Sequence, residues 1–288
     1  MESESKYPNE KESKTKIIVC YHKKSKLFQN SALMPLLVGK YYNKNTLNNI
    51  QGDNSGDNIS YKNNHYCELT GLYWMWKNVK AENYGLFHYR RFIDINNKYP
   101  EHVWLPFFNI NDWDASVIDK EMEEYDIIMP TLYYCPENTY NQFKNIHFIE
   151  DIDLAMEIIK NDYPKYLDTA EEFFKQCNCY FCNMFIMKKN LFNEYCEWIF
   201  DILEKIETKI SIDVETRDNY QQRVYGFISE RLLNVFIMQK MKENPNLKLK
   251  QGSLLYIDDT MLYIKYIIGE CILKKLADKI KKFKGKIN

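Results

Sequence analysis

The segment YGLFHYRRFID, Tyr84 to Asp94, runs from an apolar stretch into His88, Tyr89, Arg90 and Arg91. A guanidinium is a planar fork that matches two oxygens of a phosphate, so adjacent arginines at a strand end suit an anion such as a diphosphate. The plain alternative is a solvated edge with rim salt bridges, and alternation along a strand would point the two arginines to opposite faces. Two further polar clusters follow the same logic: His22 with Lys23 and Lys24 after KIIVCY, and Asp53, Asp57, Asn58 and Ser60 within QGDNSGDNIS. Delivered to one sheet edge, the three clusters make a site for an anion and for hydroxyls, because ligands of open α/β sheets bind beyond the carboxyl ends of the strands. Glu230 stands beside Arg231 in the otherwise apolar RVYGFISERLLNVF. It is either a general base for an attacking hydroxyl or a surface charge in an i,i+4 pair.

These groups need elements to position them. KIIVCY (Lys16–Tyr21), YGLFHY and YDIIMP (Tyr125–Pro130) read as β-strands, the last stopped by its proline. CYFCNMFIMK, Cys179 to Lys188, reads as one further apolar strand, and LLYID as the strand that closes the sheet. Tyr66, Leu69, Leu72, Tyr73 and Trp76 recur at helical spacing behind Asn63 or Asn64 as cap. Helices are also predicted over Asp151–Asn161, Asn190–Ile206 and Tyr225–Lys242. Strands alternating with helices predict an α/β domain with a mainly parallel sheet. Tyr41 to Asn64 is polar and reads as a long loop, a kind that commonly carries function in compact domains. One domain over residues 16–260 is expected, between a disordered tail (1–15) and a basic amphipathic helix (261–288).

Composition narrows the function. The net charge is −1, so the molecule as a whole does not attract nucleic acid, and no basic-aromatic module is present. The 23 tyrosines would suit stacking on sugars or bases, or simply reflect a genome rich in Lys, Ile, Asn and Tyr codons. Eight cysteines without a secretory signal point to reduced thiols in the cytoplasm. Cys177, Cys179 and Cys182 lack a second clean ligand pair, so they read as small apolar residues of a buried strand rather than a metal site. P-loop, dinucleotide-fingerprint, nucleophile-elbow and HExxH motifs are all missing. The last eighteen residues carry seven lysines and an apolar stripe of Ile272, Leu273, Leu276, Ile280 and Phe283. Such a helix either lies on the anionic inner leaflet as a peripheral anchor or is an ordinary solvated terminus.

Taken in order, GDNIS, NHYCELTGLYWMWKN, YGLFHYRRF, YDIIMP, CNMFIMKKNLFNEYCEWIFDIL and RVYGFISERLLNVF resemble the bacterial domain-of-unknown-function family 4422, from about Lys16 to Leu254. That family occurs in capsule, lipopolysaccharide and exopolysaccharide gene clusters and is treated as glycosyltransferase-like. The resemblance implies a single GT-A-like, Rossmann-type domain. It also implies transfer of a hexose or galactofuranose from a UDP-sugar to a lipid-linked glycan. His88 to Arg91 stand where such folds usually carry an acidic DxD metal motif, so the possible Mn²⁺ or Mg²⁺ cofactor lacks its usual ligands here. Arginines neutralising the leaving diphosphate would do the same electrostatic work. On the resemblance, Glu230 becomes the base at a helix start, and His22, Asp57, Asn58, His88, Arg90 and Arg91 the donor contacts. His147, Asn183, Arg223 and Arg231 are implied as further acceptor or donor contacts. A member that only holds a nucleotide sugar or glycan within a synthesis complex is the alternative; an enzyme would consume its donor and a binder would not.

Overall fold

A computed structural model describes residues 13–43, 50–99, 104–105 and 110–257. Most of the expected tail, and the whole of the basic 261–288 segment, lie outside these residues. At the start of the described chain, Asp119 accepts from the Ser13 hydroxyl and from the Lys14 and Thr15 amides, anchoring the entry into the first strand.

That strand, β1 (Thr15–Tyr21), is buried almost throughout, as a parallel strand covered on both faces must be. Alternation divides its side chains between two cores: Ile17, Val19 and Tyr21 on one face, Ile18 and Cys20 on the other. It pairs in parallel with β2 (Leu33–Leu37), which pairs with the short β3 (Gln51–Gly52). The predicted single helix at Tyr66–Trp76 is two pieces, α1 (Asn63–Tyr66) and α2 (Leu69–Asn78). They break at Cys67, whose φ of 51° no helix tolerates.

On the other side of β1 lies β4 (Asn83–His88), also parallel. HYRR is then not a strand end. The chain turns through Tyr89 and Arg90 into β5 (Arg91–Asp94), and His88 faces Arg91 across a tight hairpin. Next come β6 (Trp104–Leu105), α3 (Ala115–Glu124), β7 (Ile127–Pro130) and β8 (Tyr133–Tyr134). Helices α4 (Thr139–Lys144), α5 (Ile149–Asp162) and α6 (Leu167–Lys175) follow.

CYFCNMFIMK is two strands rather than one: β9 (Asn178–Cys179) and β10 (Phe185–Lys188). Between them Cys182 and Asn183 take positive φ of 74° and 51°. The chain ends in α7 (Lys189–Thr216), α8 (Val224–Glu243) and β11 (Leu249–Ile257).

The sheet order is β10-β7-β11-β5-β4-β1-β2-β3, with β6 beside β11. Strands β3, β2, β1 and β4 are parallel, but β10 runs antiparallel to both β4 and β7, and β11 antiparallel to β5. The sheet is therefore mixed, which corrects the expectation of a mainly parallel one. Strand β4 pairs with β10 over Asn83–Leu86 and with β5 only at His88. At that end the Cys182–Asn183 turn meets it, the Cys182 carbonyl accepting from the His88 imidazole.

Candidate functional site

The carboxyl ends of β1, β2 and β4 open into a cleft of about 940 Å³. His22 follows β1, Val38 follows β2, and the β4–β5 hairpin supplies His88, Tyr89, Arg90 and Arg91. The break between α1 and α2 contributes Cys67 and Glu68; Arg223 precedes α8, and Glu230 lies in its second turn rather than at its start. Cys182 and Tyr256 close the other side.

The turn lets both Arg90 and Arg91 line this cleft, which regular strand alternation would have forbidden. Arg90 packs on the Tyr89 ring and Arg91 on the Tyr256 ring. Arg223 donates from Nε to the Cys67 sulfur at 3.2 Å and sits over Tyr220 and Phe227. Among the described residues none of these three guanidiniums pairs with a carboxylate. Three guanidiniums without an ion pair thus share one concavity with the carboxylates of Glu68 and Glu230, and guanidiniums so placed are of the type that binds anions.

His22 is shifted toward the neutral form by desolvation in the cleft, then by Lys23 and Arg90. His88 is shifted the same way by burial, against the pull of Glu68 and the Cys182 carbonyl. Its Nε2 lies 2.7 Å from that carbonyl, so Nε2 carries the proton and Nδ1 is left as an acceptor.

Glu230 is held from two sides. The Cys182 amide donates to Oε1 at 3.1 Å, and Arg231 donates to Oε2 at 2.9 Å. Burial raises its pKa above the ordinary carboxylate value; Arg231 opposes this and Glu68 adds to it. A partly buried carboxylate with a raised pKa is a better base than a solvated one. Arg231 is almost fully buried, bonded also to Gln142 and placed over Phe143 and Phe181. It orients Glu230 and does not line the cleft.

Asn183 is buried behind the cleft. Its amide donates to Glu68 at 2.8 Å and to Ser229 at 2.9 Å, which fixes the second carboxylate. Nothing in NHYCELTG marks Glu68 as more than a helix acid. The available signal was the one used for Glu230: a lone acid in an otherwise apolar helical stretch.

The remaining expected contacts sit elsewhere. Asp57 accepts from the Tyr73 hydroxyl and the Asn78 carboxamide binds its backbone, while Asn58 closes a turn with Gly56 and Ser60. Asp53 is a buried cap, accepting from Gly39, Lys40, Ser60 and Thr70. Among the described residues, Gly52 to Lys62 of the polar loop therefore knit β2 to α2 without lining the cleft, whereas Asn63 and Asn64, in α1, do line it. His147 stacks on Phe227 at 3.9 Å and accepts or donates with Gln221; burial lowers its pKa to about 4. Burial pushes the Cys67 and Cys182 thiols up to about 12, which disfavours their thiolates.

The two carboxylates lining the cleft are already engaged, Glu68 by Asn183 and Glu230 by the Cys182 amide and Arg231, and the neighbouring Arg90 and Arg91 cannot ligate a hard metal ion. Among the described residues no group of three or more His, Cys, Asp or Glu side chains is arranged to hold one.

The chain is similar to the apo structure of WbbM, described as a bifunctional glycosyltransferase, with 31% sequence identity and a TM-score of 0.78. The match covers 85% of this chain and 45% of that one, so the chain spans less than half the length of WbbM. No match was found among curated proteins. Residues 16–242 match the family model described as domain of unknown function (DUF4422), and the chain belongs to that family.

Proposed function

We propose that the protein is a glycosyltransferase that moves a hexose or galactofuranose from a UDP-sugar to a hydroxyl of a surface-polysaccharide precursor, without a metal ion. The observation that carries this is the group of unpaired guanidiniums, Arg90, Arg91 and Arg223, in one cleft with the raised carboxylate of Glu230. The likeness to WbbM supports the reaction class.

In the reaction the acceptor O–H gives its proton to Glu230 as its oxygen bonds to the sugar's anomeric carbon. The bond from that carbon to the diphosphate oxygen breaks, and its electron pair leaves with UDP. Charge grows on the diphosphate as this happens, and the arginines stabilise it where it forms. The attack comes from the face opposite the leaving group, so the product is inverted. Among the described residues no helix is long and apolar enough to cross a membrane. The reaction would take place on the cytoplasmic side, with peripheral contact at the inner leaflet.

Calorimetry with UDP, GDP and CMP, each in Mn²⁺ and in EDTA, tests the reading on wild type and on Arg90→Ala/Arg91→Ala. We expect UDP to bind in EDTA and to weaken about 10- to 100-fold per arginine, from roughly 1.5–3 kcal/mol for each charged hydrogen bond. Binding that requires Mn²⁺ and ignores the arginines would sink the metal-free mechanism. A protein that binds UDP-sugars but never consumes them would be a nucleotide-sugar-binding component instead.

A further inference from the structure

The cleft is asymmetric, and beside its Tyr256 end a pair of aromatic residues lies just outside its lining. At one end His22 sits among Arg90, His88 and Arg223, which together disfavour its protonation. Arg91 belongs nearer the other end, where it stacks on Tyr256 and acts on Glu230 and Cys182. Beyond Glu230 the order continues without a charge. The residue before Cys182 is Phe181, whose ring lies 5.0 Å from the Arg231 guanidinium that holds Glu230. Tyr133 meets Phe181 edge-on at 5.6 Å, and it is close enough to Tyr256 to influence that phenol's ionisation.

Tyr133 is 49% exposed and Leu132 is 44% exposed. Both belong to TLYYCP at the start of the small β8–β9 sheet, which lies outside the main sheet. Among the described residues the Tyr133 hydroxyl has no hydrogen-bond partner. A partly exposed tyrosine with a free hydroxyl combines an apolar face with a polar handle. That suits a sugar ring, which presents C–H groups on one face and hydroxyls at its edge, better than it suits a phosphate or a peptide carboxylate.

We infer that Tyr133 and Phe181, on the Tyr256 side of the cleft, form the shelf on which the sugar ring of a neutral glycan acceptor docks, an inference that rests on the transferase reading above. The chemistry fixes the direction. A base must touch the acceptor hydroxyl, so the acceptor enters on the Glu230 side, while the diphosphate lies toward His22 on Arg90 and Arg223, with Arg91 between the two. Phe181 joins the shelf to the Glu230 side of the cleft, because the next residue, Cys182, donates its amide to Glu230, and neither Tyr133 nor Phe181 carries a charge.

The test is saturation-transfer NMR of the full chain with methyl β-D-galactopyranoside, lactose and maltose, on wild type, Tyr133→Ala and Tyr133→Phe. UDP calorimetry and light-scattering mass are measured on the same samples. We expect glycoside C–H protons to receive saturation in wild type, and Tyr133→Ala to weaken binding roughly three- to tenfold. Tyr133→Phe should retain most of the binding, and UDP affinity should not change in either variant. Glycoside binding indifferent to Tyr133→Ala, or no glycoside binding by wild type, overturns the shelf. So does a drop in molar mass with Tyr133→Ala, which would make the patch a contact between copies of the chain. Failure of wild type to bind UDP counts against the transferase reading alone, because the glycoside arm judges the shelf without it.

Discussion

At the scale of single residues, the reactivity of the cleft rests on how Glu230 is held. Burial raises its pKa, Arg231 lowers it, and Glu68, fixed by Asn183, raises it again. The base is available only when ionised, so transfer should increase with pH through a midpoint above the ordinary carboxylate range. Glu68→Gln removes a negative charge that disfavours ionisation of Glu230 while keeping an oxygen for Asn183 to bind. The acid limb of the pH–rate profile should therefore move to lower pH. Glu230→Gln should cost about 10²- to 10⁴-fold in turnover with little change in UDP affinity. An acid limb that ignores Glu68→Gln would separate the two carboxylates, and near-normal turnover in Glu230→Gln would remove the base. His88, Arg90, Arg91 and Glu230 stood out in the sequence as polar groups against apolar runs, His22 as the end of an apolar strand, and Arg223 only through the family resemblance. Asp57 and Asn58 were misread because Asp and Asn make turns as readily as they bind ligands. Only the fold shows that Tyr73 and Asn78 already engage Asp57, and that Asn58 closes a turn with Gly56 and Ser60.

At the scale of elements, existence was legible and direction was not. Apolar runs revealed β1, β4 and β7, yet nothing local to FIMK says that β10 must run against β4. That is decided by the path through α4–α6 and the Cys182–Asn183 turn. The turn itself was invisible because neither residue is glycine. Left-handed backbone at such residues costs on the order of 1–3 kcal/mol each and persists only when long-range contacts hold it. Here the contacts are His88, Glu230, Glu68 and Ser229, all distant in sequence. The hairpin bearing the arginines depends on β11 in the same way. The Ile257 amide binds the Arg90 carbonyl, and Gly252 lies so close to β5 that a Cβ would stand 2.4 Å from the Asp94 carbonyl oxygen. Gly252→Ala must push β11 off β5. We expect a loss of about 1–3 kcal/mol in a denaturant melt, together with weaker UDP binding, since Arg91 opens β5. A variant that melts like wild type would mean that the two strands are not packed this closely.

At the scale of the whole molecule, affinity for a diphosphate has to be local. Lys and Arg number 39 against 40 Asp and Glu, so the distant field is nearly cancelled, and at about 0.15 M salt charges beyond roughly 8 Å are screened in any case. Stability, by contrast, is spread through the long helices. At the far end of α8 the nearly buried Lys240 joins Glu194 on α7 and Glu243 on its own helix. It stands ten residues from Glu230, about 15 Å along the helix axis. Removing that ammonium leaves two partly exposed carboxylates facing each other, so Lys240→Ala should lose about 1–3 kcal/mol, less than for a fully buried pair. A chain of this size then melts roughly 2–4 °C lower per kcal/mol lost. Saturating UDP in EDTA should still raise the melting temperature of Lys240→Ala by the wild-type increment, about 2.7 kcal/mol of stabilisation at a hundredfold excess over Kd. Arg223→Ala should do the reverse, melting close to wild type without ligand and losing much of the UDP-induced shift. If Lys240→Ala lost the shift as well, binding would depend on how the helices pack and not on the guanidiniums lining the cleft.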